Sequence, residues 1–111
     1  MNRFSKELLA PHFEKWDLVK EEIEKLYNIE DKEAITYMEI AIRNYTQLLE
    51  YGGSELNQRT GKMVARLLPL NGDERLQFVK DKIASHYAYV QLDALYTEAK
   101  KKAARLSVMQ K

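Results

Sequence analysis

Basic side chains recur at two places in this chain, and both groups have the type and spacing that phosphate contacts require. Arg59, Lys62 and Arg66 are three and four residues apart, so on a helix they would share one face. Gly61 lies between them and would let a phosphate approach the backbone closely. The second group is denser and consists of Lys100, Lys101, Lys102 and Arg105. Both groups are candidates for binding nucleic acid.

Each basic group also has a plain structural explanation. Three cations make a small footprint beside the roughly six to ten phosphate contacts of a strong binder, and a solvated helix face explains them as well. Cations near the carboxyl end of a helix are stabilised by its free carbonyl groups. Tyr89 and Tyr96 would lie on the same last helix and add stacking surface for bases. Nucleic-acid binding is therefore the second of two functional hypotheses.

Metal-binding and catalytic patterns do not stand out in this sequence. The chain has no cysteine, and its two histidines, His12 and His86, belong to no paired metal-binding spacing. The segment 58–62 superficially resembles a phosphate-binding loop but lacks the first glycine of that motif. Nothing resembles the strained turn and oxyanion donors of Ser-His-Asp catalysis. We therefore expect no enzymatic activity, no cofactor, no metal and no small-molecule substrate.

The length and composition limit the architecture that positions these residues. The chain has 111 residues, of which 45% are hydrophobic and 32% charged, and these values suit one globular domain over residues 1–111. No segment approaches the roughly 18 apolar residues of a membrane span, and the first residues contain no apolar run of the signal-peptide type. The sequence therefore predicts a cytoplasmic protein that has no membrane partner.

Helical periodicity is clear in the first half of the chain. Apolar residues recur in steps of three and four from Phe13 to Tyr27, which predicts an amphipathic helix that ends near Asn28. Asp31 is placed to cap a second helix, which we expect over about Lys32 to Tyr51. Gly52 and Gly53 follow and favour the left-handed conformation that commonly closes a helix.

The second half predicts further helices and no sheet. Residues 54–68 have weaker helical spacing and predict a short third helix that Pro69 ends, with Asn71 as the cap of the next. The 39 residues after Gly72 contain no Gly or Pro. One unbroken helix there would be roughly 58 Å long, so we expect a long C-terminal helix that bends, projects or breaks near Ser85 and His86. The predicted fold is an all-α compact bundle of four to five helices.

Two apolar stripes compete for the core in the last helix. One contains Ile83 and Val90, and we assign it to the core together with residues of the earlier helices. The predicted core is Phe13, Trp16, Ile23, Met38, Ile42, Tyr45, Leu49, Val64, Leu67, Val79, Ile83 and Val90. The alternative is that a break near residue 86 rotates the second stripe onto this core.

The apolar residues that remain predict a protein interface. They are rich in tyrosine, which suits interfaces because the ring buries area while the hydroxyl stays satisfied at the rim. The predicted interface consists of Tyr37, Tyr51, Tyr89, Leu92 and Tyr96. We therefore expect the chain to associate with itself, as a homodimer or other homo-oligomer, or with another protein.

Charge is unevenly distributed along the chain. Residues 1–55 contain 7 basic and 12 acidic side chains, whereas residues 56–111 contain 11 and 5. The two halves attract each other within one chain or between chains. The leading hypothesis is a non-catalytic intracellular helical protein-interaction module that self-associates, and the alternative is a small nucleic-acid-binding or regulatory protein. An accessory protein of a phage or other mobile element would fit either description.

Overall fold

In a computed structural model, the described residues, Phe4 and 6–109, form four helices and one two-stranded hairpin. The elements are α1 (Lys6–Asn28), α2 (Glu33–Tyr51), β1 (Ser54–Asn57), β2 (Lys62–Ala65), α3 (Gly72–Asp81) and α4 (His86–Met109). The prediction of a mainly helical fold is confirmed. The prediction that the chain contains only helices is wrong, because a small antiparallel sheet takes the place of the third helix.

The first two helices form an antiparallel pair, and α1 ends and α2 begins close to the predicted residues. α1 ends at Asn28, and a carboxylate oxygen of Asp31 accepts a hydrogen bond of 2.9 Å from the backbone N–H of Glu33. This contact satisfies one of the free N–H groups at the start of α2. Gly53, with a φ of 78°, turns the chain out of α2 towards β1.

The hairpin forms because of turn chemistry at Asn57 and Gly61. The Asn57 side-chain oxygen accepts hydrogen bonds from the N–H groups of Arg59 and Thr60, at 2.9 and 3.4 Å. Gly61 has a φ of 70°, which costs glycine little, and its N–H donates to the Asn57 carbonyl. These contacts close a four-residue loop between β1 and β2. They outweigh the weak helical spacing that predicted a helix over residues 54–68.

The last long segment breaks where the sequence indicated. α3 ends at Asp81 and α4 begins at His86, and the Ser85 hydroxyl oxygen accepts a hydrogen bond from the Tyr87 N–H. The start of α3 differs from the prediction, because the Asn71 side chain makes no capping bond. Instead the Asn71 backbone adopts the left-handed conformation, with a φ of 56°. The break keeps the molecule within extents of 46 × 32 × 16 Å.

An aromatic core joins α4 to α1 and α2. It consists of Trp16, Tyr45, Tyr89 and Tyr96, all buried. The Trp16 indole stacks on the Tyr96 ring with centroids 4.9 Å apart, and the Tyr45 ring meets Tyr96 edge-on at 5.2 Å. The Tyr96 hydroxyl donates a 2.7 Å hydrogen bond to the carbonyl of Ala41 in α2. One ring therefore holds three helices together.

The choice between the two stripes of α4 was wrong. Val90, which was assigned to the core, is 50% exposed, whereas Tyr89, Leu92 and Tyr96 are 8%, 0% and 2% exposed. The physical reason is the break before His86, which rotates α4 so that the second stripe faces α1 and α2. That rotation was the alternative left open by the sequence. Val64 and Ile83 are half-buried, and the other predicted core residues are buried.

Two buried tyrosines give a matched test of this core. Tyr96→Phe removes the hydrogen bond to Ala41, so we expect it to lower the free energy of unfolding by about 1 kcal/mol. The Tyr45 hydroxyl is buried without a hydrogen-bond partner among the described residues. Tyr45→Phe should therefore be neutral or stabilising, because it removes an uncompensated polar group. Urea denaturation of both variants measures the difference, and equal losses of stability would contradict this description of the core.

Candidate functional site

The predicted interface residues divide into two groups in the structure. Tyr89, Leu92 and Tyr96 lie in the core of the single chain, so their side chains are not a surface that a partner could cover. Their assignment to an exposed face is wrong, because it depended on the wrong stripe of α4. Tyr37 and Tyr51 lie on the outer side of α2 and remain exposed. Their placement does not test self-association, which stays a prediction.

An apolar surface surrounds a shallow groove between α1 and α2. The groove has a volume of about 220 Å³, and its lining includes Leu18 of α1 with Tyr37 and Ile40 of α2. Leu18 is 82% exposed, Ile40 45%, Tyr37 41% and Tyr51, further along the same side of α2, 38%. We call these four residues the α1–α2 face. They are large apolar groups that the core of the chain leaves in contact with water.

The periodicity of α2 explains why this surface exists. Met38, Ile42 and Tyr45 are buried in the core, so residues half a turn away must point outwards. Tyr37, Ile40 and Tyr51 follow in helical steps on that outer side. The predicted interface contained both tyrosines but neither Ile40, which lies in the same row of α2, nor Leu18. The missed signal in α1 was an apolar residue on the solvent side of the helix, directly after Asp17.

The charges beside this surface are balanced. Glu39 and Arg43 are exposed on α2, one helical turn apart and beside Ile40, and neither forms an ion pair in the part of the chain that the structure describes. His12 lies near the other end, with its ring 5.5 Å from that of Tyr51. Burial, helped by the charge of Lys15, lowers the pKa of His12. His12 therefore adds an uncharged aromatic ring near neutral pH.

The first basic group is not a helix face. Arg59 lies in the hairpin loop, Lys62 begins β2 and Arg66 follows β2, so the three do not share a helical stripe. Arg59 and Lys62 are exposed. Arg66 is half-buried, and its Nε is buried without a hydrogen-bond partner among the described residues. The prediction of a basic third helix is wrong, although two of its three cations remain accessible.

The second basic group divides between two sides of α4. Lys100 lies 6.0 Å from the centre of the Phe13 ring, on the side that faces α1. Lys101, Lys102 and Arg105 line a groove of about 620 Å³ between the hairpin and α4, which we call the hairpin groove. Lys102 is fixed there, because its Nζ donates a 2.9 Å hydrogen bond to the Leu68 carbonyl.

The hairpin forms the opposite wall of this groove. Asn57 is one of its lining residues, and Lys62 is the cross-strand partner of Asn57. Directly paired residues in an antiparallel sheet project to the same face. The Lys62 side chain therefore lies on the face of the hairpin that borders the groove. The fold thus places Lys62, from the first basic group, on the side of the hairpin that borders the cations of the second.

The guanidinium of Arg75 neutralises one carboxylate of the hairpin groove, that of Glu98. Glu98 lines the groove, but both of its carboxylate oxygens accept hydrogen bonds from the guanidinium of Arg75, one of them at 2.9 Å. This bonding lowers the pKa of Glu98. Arg75 also donates to Gln91 at 2.9 Å, so this arginine anchors α3 to α4. Glu55 is the other carboxylate among the described lining residues.

Residues 4 and 6–109 contain no group of three or more potential metal-ligating side chains. His86 lies 3.3 Å from a carboxylate oxygen of Glu24, an exposed pair that joins the start of α4 to α1. Within the same described part of the chain, no helix has the length and apolar character needed to cross a membrane. Both grooves contain residues that the sequence singled out: Tyr37 lines the groove between α1 and α2, and Lys101, Lys102 and Arg105 line the hairpin groove.

A protein-family model described as YpoC-like protein matches residues 6–111, nearly the whole chain. The chain belongs to the YpoC-like family. The match includes all four helices and the hairpin, so both grooves lie within the part of the chain that defines the family. Searches of curated proteins and of solved structures found no match. Roles for the two grooves must therefore be argued from their own chemistry.

The burial of tyrosine side chains predicts how the free energy of unfolding changes at alkaline pH. Burial raises the pKa of Tyr27 and of Tyr89 to about 12 each, and it also raises the pKa of Tyr45 and Tyr96. An unfolded chain loses these protons near pH 10, whereas the folded chain keeps them. Stability should therefore be insensitive to these groups below about pH 10 and fall as the pH rises to about 12.

Urea midpoints measured from about pH 8 to about pH 12 would follow this loss, and ultraviolet absorbance would report tyrosinate formation. Tyr45→Phe is the control, because it removes one of the shifted phenols and should make the fall shallower. Ionisation of all the tyrosines near pH 10 without any loss of structure would contradict the predicted alkaline instability.

Proposed function

We propose that this protein is a non-catalytic protein-interaction module that associates with a second copy of itself through the α1–α2 face. The observation that supports the proposal is the group of large, exposed apolar side chains on one side of the molecule: Leu18, Tyr37 and Ile40 around one groove, and Tyr51 further along α2. Single exposed apolar residues are common on protein surfaces, whereas contiguous patches are typical of interaction sites. Two of the four are tyrosines, which are enriched in such sites.

The charges beside the patch favour a second copy as the partner. Most homodimers have a two-fold axis, so the same patch contacts itself. Suppose that two α2 helices pack in antiparallel orientation and that the two-fold axis crosses them at the level of Ala41. Glu39 of each copy then lies opposite Arg43 of the other. Ile40 then lies close to the axis and packs against its own counterpart. The surface is thus complementary to itself in both charge and apolar character.

The mass of the protein in solution tests this proposal with a matched control. Tyr37→Ser with Ile40→Ser removes two apolar groups from the α1–α2 face and should raise the dissociation constant at least about tenfold. Tyr87→Ser with Val90→Ser is the control, because it removes a similar exposed pair of the same spacing from α4. Sedimentation over a range of concentrations measures both variants, and circular dichroism checks that each is folded.

The outcomes of this experiment are distinct. A wild-type protein that stays monomeric at high concentration would rule out self-association. If the α4 control dissociates and the α2 variant does not, the interface lies on α4 and the proposed face is wrong. Dissociation by the α2 variant alone, with helical content unchanged, would support it.

Charge reversal tests the two-fold arrangement separately. Glu39→Arg and Arg43→Glu should each weaken the dimer, because each places like charges opposite one another, by about 0.2 to 1 kcal/mol per exposed pair. The double variant restores opposite charges across the axis and should recover the affinity. An equimolar mixture of the two single variants should also recover part of it. Equal weakening by the singles and the double would contradict an antiparallel pairing of the two α2 helices.

A further inference from the structure

Few ion pairs join the acidic and basic halves of the chain in the part that the structure describes. The ion pairs in residues 4 and 6–109 are Lys20–Asp17, Lys20–Asp93, Arg75–Glu98 and His86–Glu24. None of them joins a carboxylate of the acidic first half to a lysine or arginine of the basic second half. The net charge of +1 therefore hides a separation of charge between the two halves, which the ion pairs of the described residues only partly bridge.

The separation follows the long direction of the molecule. α1 and α4 are antiparallel, because Glu24 near the end of α1 meets His86 at the start of α4, whereas Phe13 meets Lys100 near the end of α4. The carboxylates of the second half of α1 therefore lie at the end where α4 begins. The cations of the hairpin groove lie at the opposite end.

We propose that the hairpin groove binds the sugar–phosphate backbone of a double-stranded nucleic acid. Lys101, Lys102 and Arg105 of α4 line one wall, and Lys62 lies on the face of the hairpin that borders the other. Cations along a groove suit a polymer with a negative charge about every 1.7 Å along its axis. This inference is independent of the proposed self-association, since the α1–α2 face contributes nothing to the groove.

The lining of the groove favours a duplex over a single strand. Proteins that hold single strands stack the bases on aromatic side chains, but no aromatic residue occurs among the described lining residues. Tyr89 and Tyr96, the two tyrosines that the sequence offered for stacking, are buried in the aromatic core. Phosphate contacts without base contacts give affinity without sequence preference.

The charge balance of the groove favours phosphates as well. Glu98 is already held by Arg75, so Glu55 is the remaining carboxylate among the described lining residues. Three lining cations, Lys101, Lys102 and Arg105, and Lys62 on the bordering face of the hairpin therefore face one such carboxylate. An acidic protein segment would need carboxylates at matching positions, whereas a duplex presents phosphates continuously. Four phosphate contacts predict that log K falls against log salt with a slope of about −3 to −4.

Fluorescence anisotropy with a short DNA duplex, an RNA duplex of the same sequence, one DNA strand and polyglutamate tests the inference. We expect salt-sensitive binding of a duplex, and the DNA and RNA arms identify which source of phosphate is preferred. Lys101→Gln with Arg105→Gln should weaken binding at least about tenfold and make the slope shallower by about 2. Lys80→Gln with Lys82→Gln is the charge-matched control, exposed at the far end of α3, and should bind as wild type does.

Several results would overturn this assignment. Absence of duplex binding at low salt would do so, as would equal weakening by the groove variant and the control. Tighter binding of polyglutamate would reassign the groove to an acidic protein, and tighter binding of the single strand would contradict the argument from stacking. Retention of binding by Tyr37→Ser with Ile40→Ser would show that the groove acts independently of the proposed dimer. Loss of binding in that variant would contradict the independence stated above.

Discussion

The stacking of the Trp16 indole on the Tyr96 ring is the contact on which the arrangement of the helices depends. It joins the first and last helices, and the Tyr96 hydroxyl extends it to α2 through the carbonyl of Ala41. Large aromatic rings bury about 150 to 250 Å² each, so their positions determine how α4 is rotated about its axis. The Trp16 N–H also donates a 2.8 Å hydrogen bond to the carboxylate of Asp93 in α4, and this bond fixes the same rotation.

This rotation also determines the surfaces that remain. With Leu92 and Tyr96 turned inwards, Lys101 and Arg105 must lie on the outer side of α4, where the hairpin approaches. Lys102 reaches back to Leu68 and holds the segment after the hairpin against the helix. The cationic groove is thus a direct result of aromatic packing at the opposite side of the same helix.

The sequence predicted the parts of the fold that depend on local patterns. The end of α1 at Asn28 and the contact of Asp31 with α2 follow from periodicity and capping chemistry, and the break before His86 follows from the length of the last segment and the helix propensity of its residues. The structure contains all three. The hairpin was missed because the Asn57 turn was not weighed against weak helical spacing. The choice between the stripes of α4 failed because it depends on contacts with Trp16, about 80 residues earlier, which no local pattern contains.

The large sequence separation of the aromatic contact has a consequence for synthesis of the chain. Trp16 and Asp93 are 77 residues apart, so a ribosome that adds about 5 to 20 residues per second makes α1 roughly 4 to 15 s before its partner on α4. During that interval α1 and α2 can pair, but the side that later receives α4 stays open to water. A nascent chain at this stage exposes Trp16 and Tyr45 together. Chaperones that recognise aromatic surface would therefore meet this protein mainly before release from the ribosome.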